Sequence, residues 1–221
     1  MPETSKQYDA VLFDFGGVIL TSPFEAFAAY ERANDLPENL IRTINSTNPD
    51  TNAWALFERG AVDVAGFVPK FEAEASALGH QVDGRVILEL IKGAVRPEMV
   101  EVLRRVNAAG YATACLTNNF RGSNENADVA GGSGRVDVDE VMTMFDHVVE
   151  SSRVGVRKPE IEFYEIALGL VGAAAERCVF LDDLGINLKP ARAMGMTTIK
   201  VVDAASAIVD LEGHLGMDLT G

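Results

Sequence analysis

The sequence lacks the features that mark several whole classes of protein. It has 2 cysteines in 221 residues, Cys115 and Cys178, each inside an apolar run. A disulfide framework and a thiolate metal site therefore give way to two buried, reduced thiols. No apolar run approaches the roughly 20 residues that cross a bilayer as a helix. The leading MPETSKQYDA has no basic stretch followed by an apolar one, so no secretory signal is expected and a cytoplasmic location is. Basic residues are scarce too: 19 Lys and Arg against 33 Asp and Glu give a formal net charge of −14. Such a field repels polyphosphate backbones and anionic lipid surfaces, which sets aside nucleic acid and membranes as partners. It does not exclude a small anion, because a metal or a local basic group inverts the field inside a pocket. The histidines His80, His147 and His214 have no ligand spacing and read as solvated or capping residues.

What is present is an ordinary globular composition, 48% hydrophobic and 24% charged, which excludes intrinsic disorder. The length fits one sizeable domain or a core with a smaller insertion. Asp9 to Asp14 is a short apolar run closed by Gly16-Gly17 and reads as a buried strand ending in a tight turn. From Phe24 to about Gly93 the periodicity is helical: Phe24, Phe27 and Ala28; Trp54 and Phe57; Val64, Phe67, Val68 and Phe71. Glu98 to Ala109 is an amphipathic helix with Met99, Val102, Leu103 and Val106 on one face, stopped by Gly110. Strands are expected at Tyr111 to Leu116, Cys178 to Leu181 and Thr197 to Val202, and helices at Glu160 to Leu170 and Leu188 to Met194. The alternation predicts an α/β fold, a parallel sheet doubly wound by helices. The helical stretch reads as an inserted cap, giving a core of residues 1–20 and 94–221 and a cap of 21–93. Arg121 to Glu140, rich in Gly, Ser, Asn and Asp with 5 acidic residues against 2 basic, reads as a long loop; an ion site there has no regular ligand spacing behind it.

Ligands of a doubly wound sheet bind outside the carboxyl ends of its strands. Asp14 stands at the first such end, Thr117-Asn118 at the second and Asp182-Asp183 at a third, with Arg157-Lys158-Pro159 just before a helix. Taken singly, each has a plainer reading: turn former, capping pair, hydroxyl turn, solvated charge. Their joint placement after successive apolar strands outweighs those readings. A carboxylate attacks phosphorus and splits hydrolysis into two easier steps. Mg²⁺ relieves the repulsion between two anions, a lysine neutralises both, and a hydroxyl with backbone N–H groups holds the remaining oxygens.

In order, Phe13-Asp14-Phe15-Gly16-Gly17-Val18, Leu116-Thr117-Asn118, Lys158-Pro159 and Leu181-Asp182-Asp183 resemble the four motifs of the haloacid dehalogenase (HAD) superfamily. A helical cap between first and second strands resembles its subfamily I. The stretches Phe145 to Pro159 and Phe180 to Met196 are similar to the branch represented by the N-terminal phosphatase domain of soluble epoxide hydrolase. The resemblance implies a Mg²⁺-dependent hydrolase of small phosphomonoesters. Asp14 would be nucleophile and metal ligand, the Gly16 carbonyl and Asp183 further ligands, and Asp182 would act through a metal-bound water. Thr117 and Asn118 would bind phosphoryl oxygens, Lys158 would pair with Asp14 and the phosphate, and Asn187 would support the site. A monomer or homodimer is expected.

One position departs from the family. Its phosphatases usually carry an acid–base Asp two residues after the nucleophile, where this chain has Gly16. General acid–base catalysis is worth about 10²–10⁴-fold, so esters with basic leaving groups should react sluggishly. Two other readings stand beside phosphatase: a metal-free 2-haloacid dehalogenase, whose halide leaves without a proton, and a silent phosphate-binding or regulatory module. Against the first, three carboxylates without a cation would raise one another's pKa. Trp54, Phe57 and Phe67 either line a substrate pocket or form the cap's core, and their helical spacing favours core.

Overall fold

Five short apolar segments build the centre of the molecule, a computed structural model that describes residues 6–119 and 137–220. They are β1 (Ala10–Phe13), β2 (Ala112–Thr117), β3 (His147–Glu150), β4 (Cys178–Asp182) and β5 (Thr197–Lys200). All neighbours pair in parallel, in the order β3-β2-β1-β4-β5. β1 lies in the middle, with Ala10 beside both Ala112 and Cys178. A central parallel strand is covered on both faces, which is why β1 and β4 are buried along their whole length.

The period of 2 along each strand sorts the side chains into two layers. Val11, Phe13, Cys115 and Leu181 face the layer of Met99, Val102 and Ile208. These last come from α6 (Pro97–Ala108) and α11 (Ala204–Leu215), named in chain order with those below. Ala10, Leu12, Leu116 and Phe180 face Phe163, Tyr164 and Leu188 from α9 (Ile161–Val171) and α10 (Gly185–Ala193). The α/β fold read from the sequence is thus the observed one. Besides two short helices, Val138–Thr143 and Ser151–Val154, two elements were not foreseen. β3 is an edge strand with only two apolar residues, Val148 and Val149, and α11 follows the last expected strand with Asp203 accepting from the Ser206 N–H at 2.8 Å as its N-cap. α10 begins at Gly185 rather than Leu188, because the Asp182 carboxylate accepts from the Leu184 N–H (2.8 Å) and turns the chain early.

Residues 23–90 carry α1 (Pro23–Ala33), α2 (Leu40–Ser46), α3 (Ala53–Glu58), α4 (Val64–Ala77) and α5 (Gly84–Leu90). They enclose an apolar cluster of their own around Ile41, Ile44, Phe57, Phe67, Phe71 and Ile87. Phe57 and Phe67 stack at 4.7 Å between centroids, and Trp54 meets Phe67 edge-on at 5.2 Å, so these aromatics are packed against each other. The chain enters and leaves this unit through one paired crossing: Leu20 bridges Val95, the Thr21 N–H donates to Ala94 O and the Arg96 N–H to Ile19 O, both at 2.8 Å. Of the expected Arg121–Glu140 loop, 121–136 lie outside the described residues, while Asp137 caps α7 (Val138–Thr143). The remaining helix, α8 (Ser151–Val154), is a single turn. Both cysteines are buried and unpaired, and burial pushes both thiols up, Cys115 with the Asp14 carboxylate adding to it. No described helix is long and apolar enough to cross a membrane.

Candidate active site

The three central strands of this sheet each end at a polar residue on the same edge. Asp14 follows β1, Thr117 closes β2 and Asp182 closes β4, at the point where the strand order changes direction on either side of β1. Asp14 leaves the sheet with its N–H bonded to Leu181 O (2.8 Å) and its Oδ1 accepting from the Phe15 N–H (2.7 Å). The chain then winds into one wide turn closed by the Leu20 N–H on Phe15 O.

Two glycines shape that turn differently. Gly17 has φ +79°, and a Cβ there would lie 2.2 Å from Asp183 Oδ2, so glycine supplies both the left-handed backbone and the space the carboxylate occupies. Gly16 is extended (φ −71°, ψ 128°), and a Cβ would meet no atom within 4 Å. Nothing in the backbone or packing demands glycine at position 16.

Lys158 is the hub. Its side chain is 1% exposed, with Nζ 2.7 Å from Asp14 Oδ1 and 2.8 Å from Asp182 Oδ2. Asp182 is saturated by protein donors: Oδ1 takes the Leu184 N–H (2.8 Å) and Asn187 Nδ2 (3.1 Å), and Oδ2 takes Lys158 and the same amide (3.1 Å). Asn187 is held in turn by its carbonyl, which accepts from the Tyr164 hydroxyl at 2.7 Å. Asp183 accepts from the Ser22 hydroxyl (3.2 Å) at the start of α1. Asn118 closes around Lys158: its Oδ1 accepts the Lys158 N–H at 2.9 Å and its Nδ2 donates to Lys158 O at 3.0 Å.

When all are ionised, Asp14, Asp182 and Asp183 surround one ammonium, an excess of two negative charges in a largely dry crevice. Burial, then the neighbouring carboxylates, push Asp14 up to about 8 against the pull of Lys158. Burial and Asp182 push Asp183 up to about 6. Burial acts to lower Lys158, but the two carboxylates win and hold it above its ordinary value, firmly protonated. One oxygen from each of the three carboxylates lies within 4.8 Å of the others. The donors are all hard oxygens and the unbalanced charge is two, which suits a small divalent cation such as Mg²⁺.

The structure therefore brings Asp14, Lys158, Asp182 and Asp183 into one cluster, with the Gly16 turn beside it and buried Thr117 at the adjoining strand end. Asn118, expected at phosphoryl oxygens, spends both ends of its amide on the Lys158 backbone. Asp182, expected to act through a metal-bound water, has both oxygens taken by protein donors. Ser22, Glu58 and Arg157 were missed as partners. Glu58 did leave a trace: it follows Trp54 at i+4 on an apolar helix face, where a charge needs a reason.

The chain matches the family of haloacid dehalogenase-like hydrolases over residues 8–195. It is 31% identical over 219 residues to mouse acyl-CoA dehydrogenase family member 10, covering 97% of this chain and 20% of that one. To mouse bifunctional epoxide hydrolase 2 it is 29% identical over 215 residues, covering 92% of this chain and 38% of that one. The chain thus spans a fifth to two-fifths of the length of these curated relatives. Among solved structures, a HAD-family enzyme from Bacteroides thetaiotaomicron in complex with magnesium and inorganic phosphate superposes with a TM-score of 0.58 at 19% identity, covering 87% of this chain and 93% of that one. Sheet order, the residues at the strand ends and these likenesses agree, and the chain belongs to the haloacid dehalogenase-like hydrolases.

Proposed function

We propose that this hydrolase is a Mg²⁺-dependent phosphatase of small phosphomonoesters, working through a phosphorylated Asp14, with residues 21–93 as a cap over the crevice. The observation that carries the reading is the acidic triad around a single buried lysine, a charge balance that asks for a divalent cation and then for an anion. The magnesium and phosphate bound by the Bacteroides relative support it. Asp14, Asp183 and the Gly16 carbonyl would hold Mg²⁺, which supplies positive charge where two anions must meet.

The chain's own residues do the rest. Lys158 and the Phe15 N–H both bond to Asp14 Oδ1, which orients the carboxylate for its attack on phosphorus. The P–O bond to the leaving group breaks as the carboxyl–phosphate bond forms. Water then attacks phosphorus, releasing inorganic phosphate and restoring the carboxylate. The Thr117 hydroxyl donates to a phosphoryl oxygen, and Lys158 offsets charge on the transferred group. Asp182, filled by its own donors, holds Lys158 in place and contributes to the cation site by charge. With no side chain at position 16, esters with weakly basic leaving groups, such as sugar 1-phosphates and aryl or acyl phosphates, are the preferred substrates. Gly16 also favours halide displacement as a second reading, since a halide needs no proton.

One assay separates them. A panel of phosphomonoesters and 2-haloacids is turned over with Mg²⁺ or with EDTA, with Asp14→Asn as control. Phosphate release that requires Mg²⁺ and vanishes in Asp14→Asn supports the phosphatase. Dehalogenation that survives EDTA, or phosphate release unchanged in Asp14→Asn, overturns it.

A further inference from the structure

Glu58 is a carboxylate that neither fold nor triad explains. It ends α3 with its side chain 10% exposed, and it carries an ion pair with Arg157, whose side chain is 12% exposed. Arg157 Nη1 donates to Glu58 Oε2 at 2.8 Å, the Asn118 amide approaches the same oxygen at 3.5 Å, and the Trp54 indole adds a third donor. A second guanidinium nitrogen of Arg157 donates to Pro49 O, in the loop between α2 and α3. Its Nε is buried without a hydrogen bond, 3.9 Å from Glu160 Oε1.

The Arg157 contacts with Glu58 and Pro49 cross from the helical unit to the core and land on the segment around Lys158, and the Asn118 contact reaches the residue that clasps that segment. Arg157 precedes the lysine in sequence, and Asn118 grips its backbone on both sides. Burial holds the Glu58 carboxyl above its ordinary value, and Arg157 offsets part of that push. A buried ion pair of this kind adds little net stability over apolar residues of the same volume, so stability is a weak reason for its presence. Its geometry supplies a stronger one. The ammonium of Lys158 must sit between Asp14 and Asp182, each within 2.8 Å, and a displacement of about 1 Å in a reacting constellation can cost 10²-fold in rate.

We infer that Glu58 is a positioning residue: through Arg157 and Asn118 it fixes the segment that carries Lys158, and so makes the lysine's placement depend on the seating of the cap. The inference rests on the phosphatase reading, since it is the phosphoryl group that the lysine must meet. A neighbouring pair supplies the comparison. Arg59 and Glu160 also bridge cap and core, at 2.6 Å, but they are 22% and 34% exposed, have no bond to Asn118 or to Lys158, and meet Arg157 only at 3.9 Å through Glu160 Oε1. Loss of that strut loosens the cap's seat and leaves the Glu58–Arg157 bond and the Asn118 clasp in place.

The test uses the whole Mg²⁺-loaded chain with p-nitrophenyl phosphate, thermal melts, and calorimetric binding of inorganic phosphate. Glu58→Gln keeps the shape and removes the charge. The expected result is a fall in kcat of at least tenfold with KM within threefold of wild type and weaker phosphate binding. Glu58→Gln/Arg157→Gln should be no slower than the slower single variant, because both act through one pair. Arg59→Gln should keep the wild-type kcat. A wild-type kcat in Glu58→Gln overturns the inference, as does an additive double variant. So does an Arg59→Gln loss as large as that of Glu58→Gln, which would reduce the effect to cap seating. A wild type that neither binds phosphate nor releases it from any ester removes the functional reading itself, a different failure.

Discussion

Gly16→Asp adds a side chain where the chain leaves room for one. The backbone at Gly16, φ −71° and ψ 128°, is open to any L residue, and a Cβ there meets nothing within 4 Å. The substitution should therefore fold, with any gain from stiffening the unfolded chain limited to about 0.4–1 kcal/mol. The new carboxyl stands two residues from Asp14, on the carboxyl edge of the sheet, beside a crevice already two charges in excess. A carboxyl at that position that carries a proton when the ester bond breaks is a general acid. Such an acid is worth about 10²–10⁴-fold, or roughly 3–5 kcal/mol of barrier, but only where the leaving oxygen needs its proton. Alkyl phosphates should accelerate by at least about 10²-fold in kcat/KM, while p-nitrophenyl phosphate, whose leaving group is weakly basic, should gain less than about tenfold. The assay is the ratio of kcat/KM for the two ester types in wild type and variant, at saturating Mg²⁺. A folded, Mg²⁺-responsive variant whose ratio is unchanged would refute the claim that the empty position sets the leaving-group preference.

Three further outcomes follow from the same geometry. Gly17→Ala drives a methyl into Asp183 Oδ2 at 2.2 Å and strains a left-handed residue by about 1–2 kcal/mol, so the Mg²⁺-induced rise in Tm should vanish; a normal rise would contradict the placement of Asp183. Asp14 and Asp183, raised to about 8 and about 6, keep protons that the unfolded chain has released above about pH 4. The metal-free protein should therefore lose stability as pH rises from 5 to 8, and Mg²⁺ should raise Tm more at pH 8 than at pH 5; melts that are flat across that window count against the crowded triad. Lys158→Met strands two buried carboxylates, a loss of about 3–5 kcal/mol or about 6–20 °C in Tm for a chain of this size, and turnover should disappear with it; a melting temperature within about 2 °C of wild type would mean the carboxylates find other partners.

Much of this was legible in one dimension because strand ends are short-range features. An apolar run followed by Asp or Thr-Asn declares both the strand and the residue it presents, and Asp14, Thr117 and Asp182 all stand where that pattern puts them. Lys158 was legible only in company, since nothing local distinguishes a lysine that ends up 1% exposed from one in solvent. What the pattern hid is pairwise. The Asn118 clasp and the Glu58–Arg157 pair join residues 40 and 99 positions apart, and each partner alone looks like a turn residue or a surface charge. The edge strand β3 was hidden for a different reason: His-Val-Val-Glu has only two apolar residues and runs straight into α8 with no Gly or Pro to close it.

The position of β1 at the centre of the sheet also governs when the crevice can exist. β1 emerges first during synthesis, yet its two neighbours, β2 and β4, are made far later, and Ser22 waits for a partner 161 residues downstream. Pairings this distant impose loop-closure entropy before any contact rewards it, which slows folding. An N-terminal stretch that stops before Cys178 has neither Asp182 nor Asp183, and lacks the strand that pairs with β1 on one side. A cation therefore has no acidic triad to gather around early in synthesis, and whatever activity the crevice has is switched on only after β4 has closed against β1.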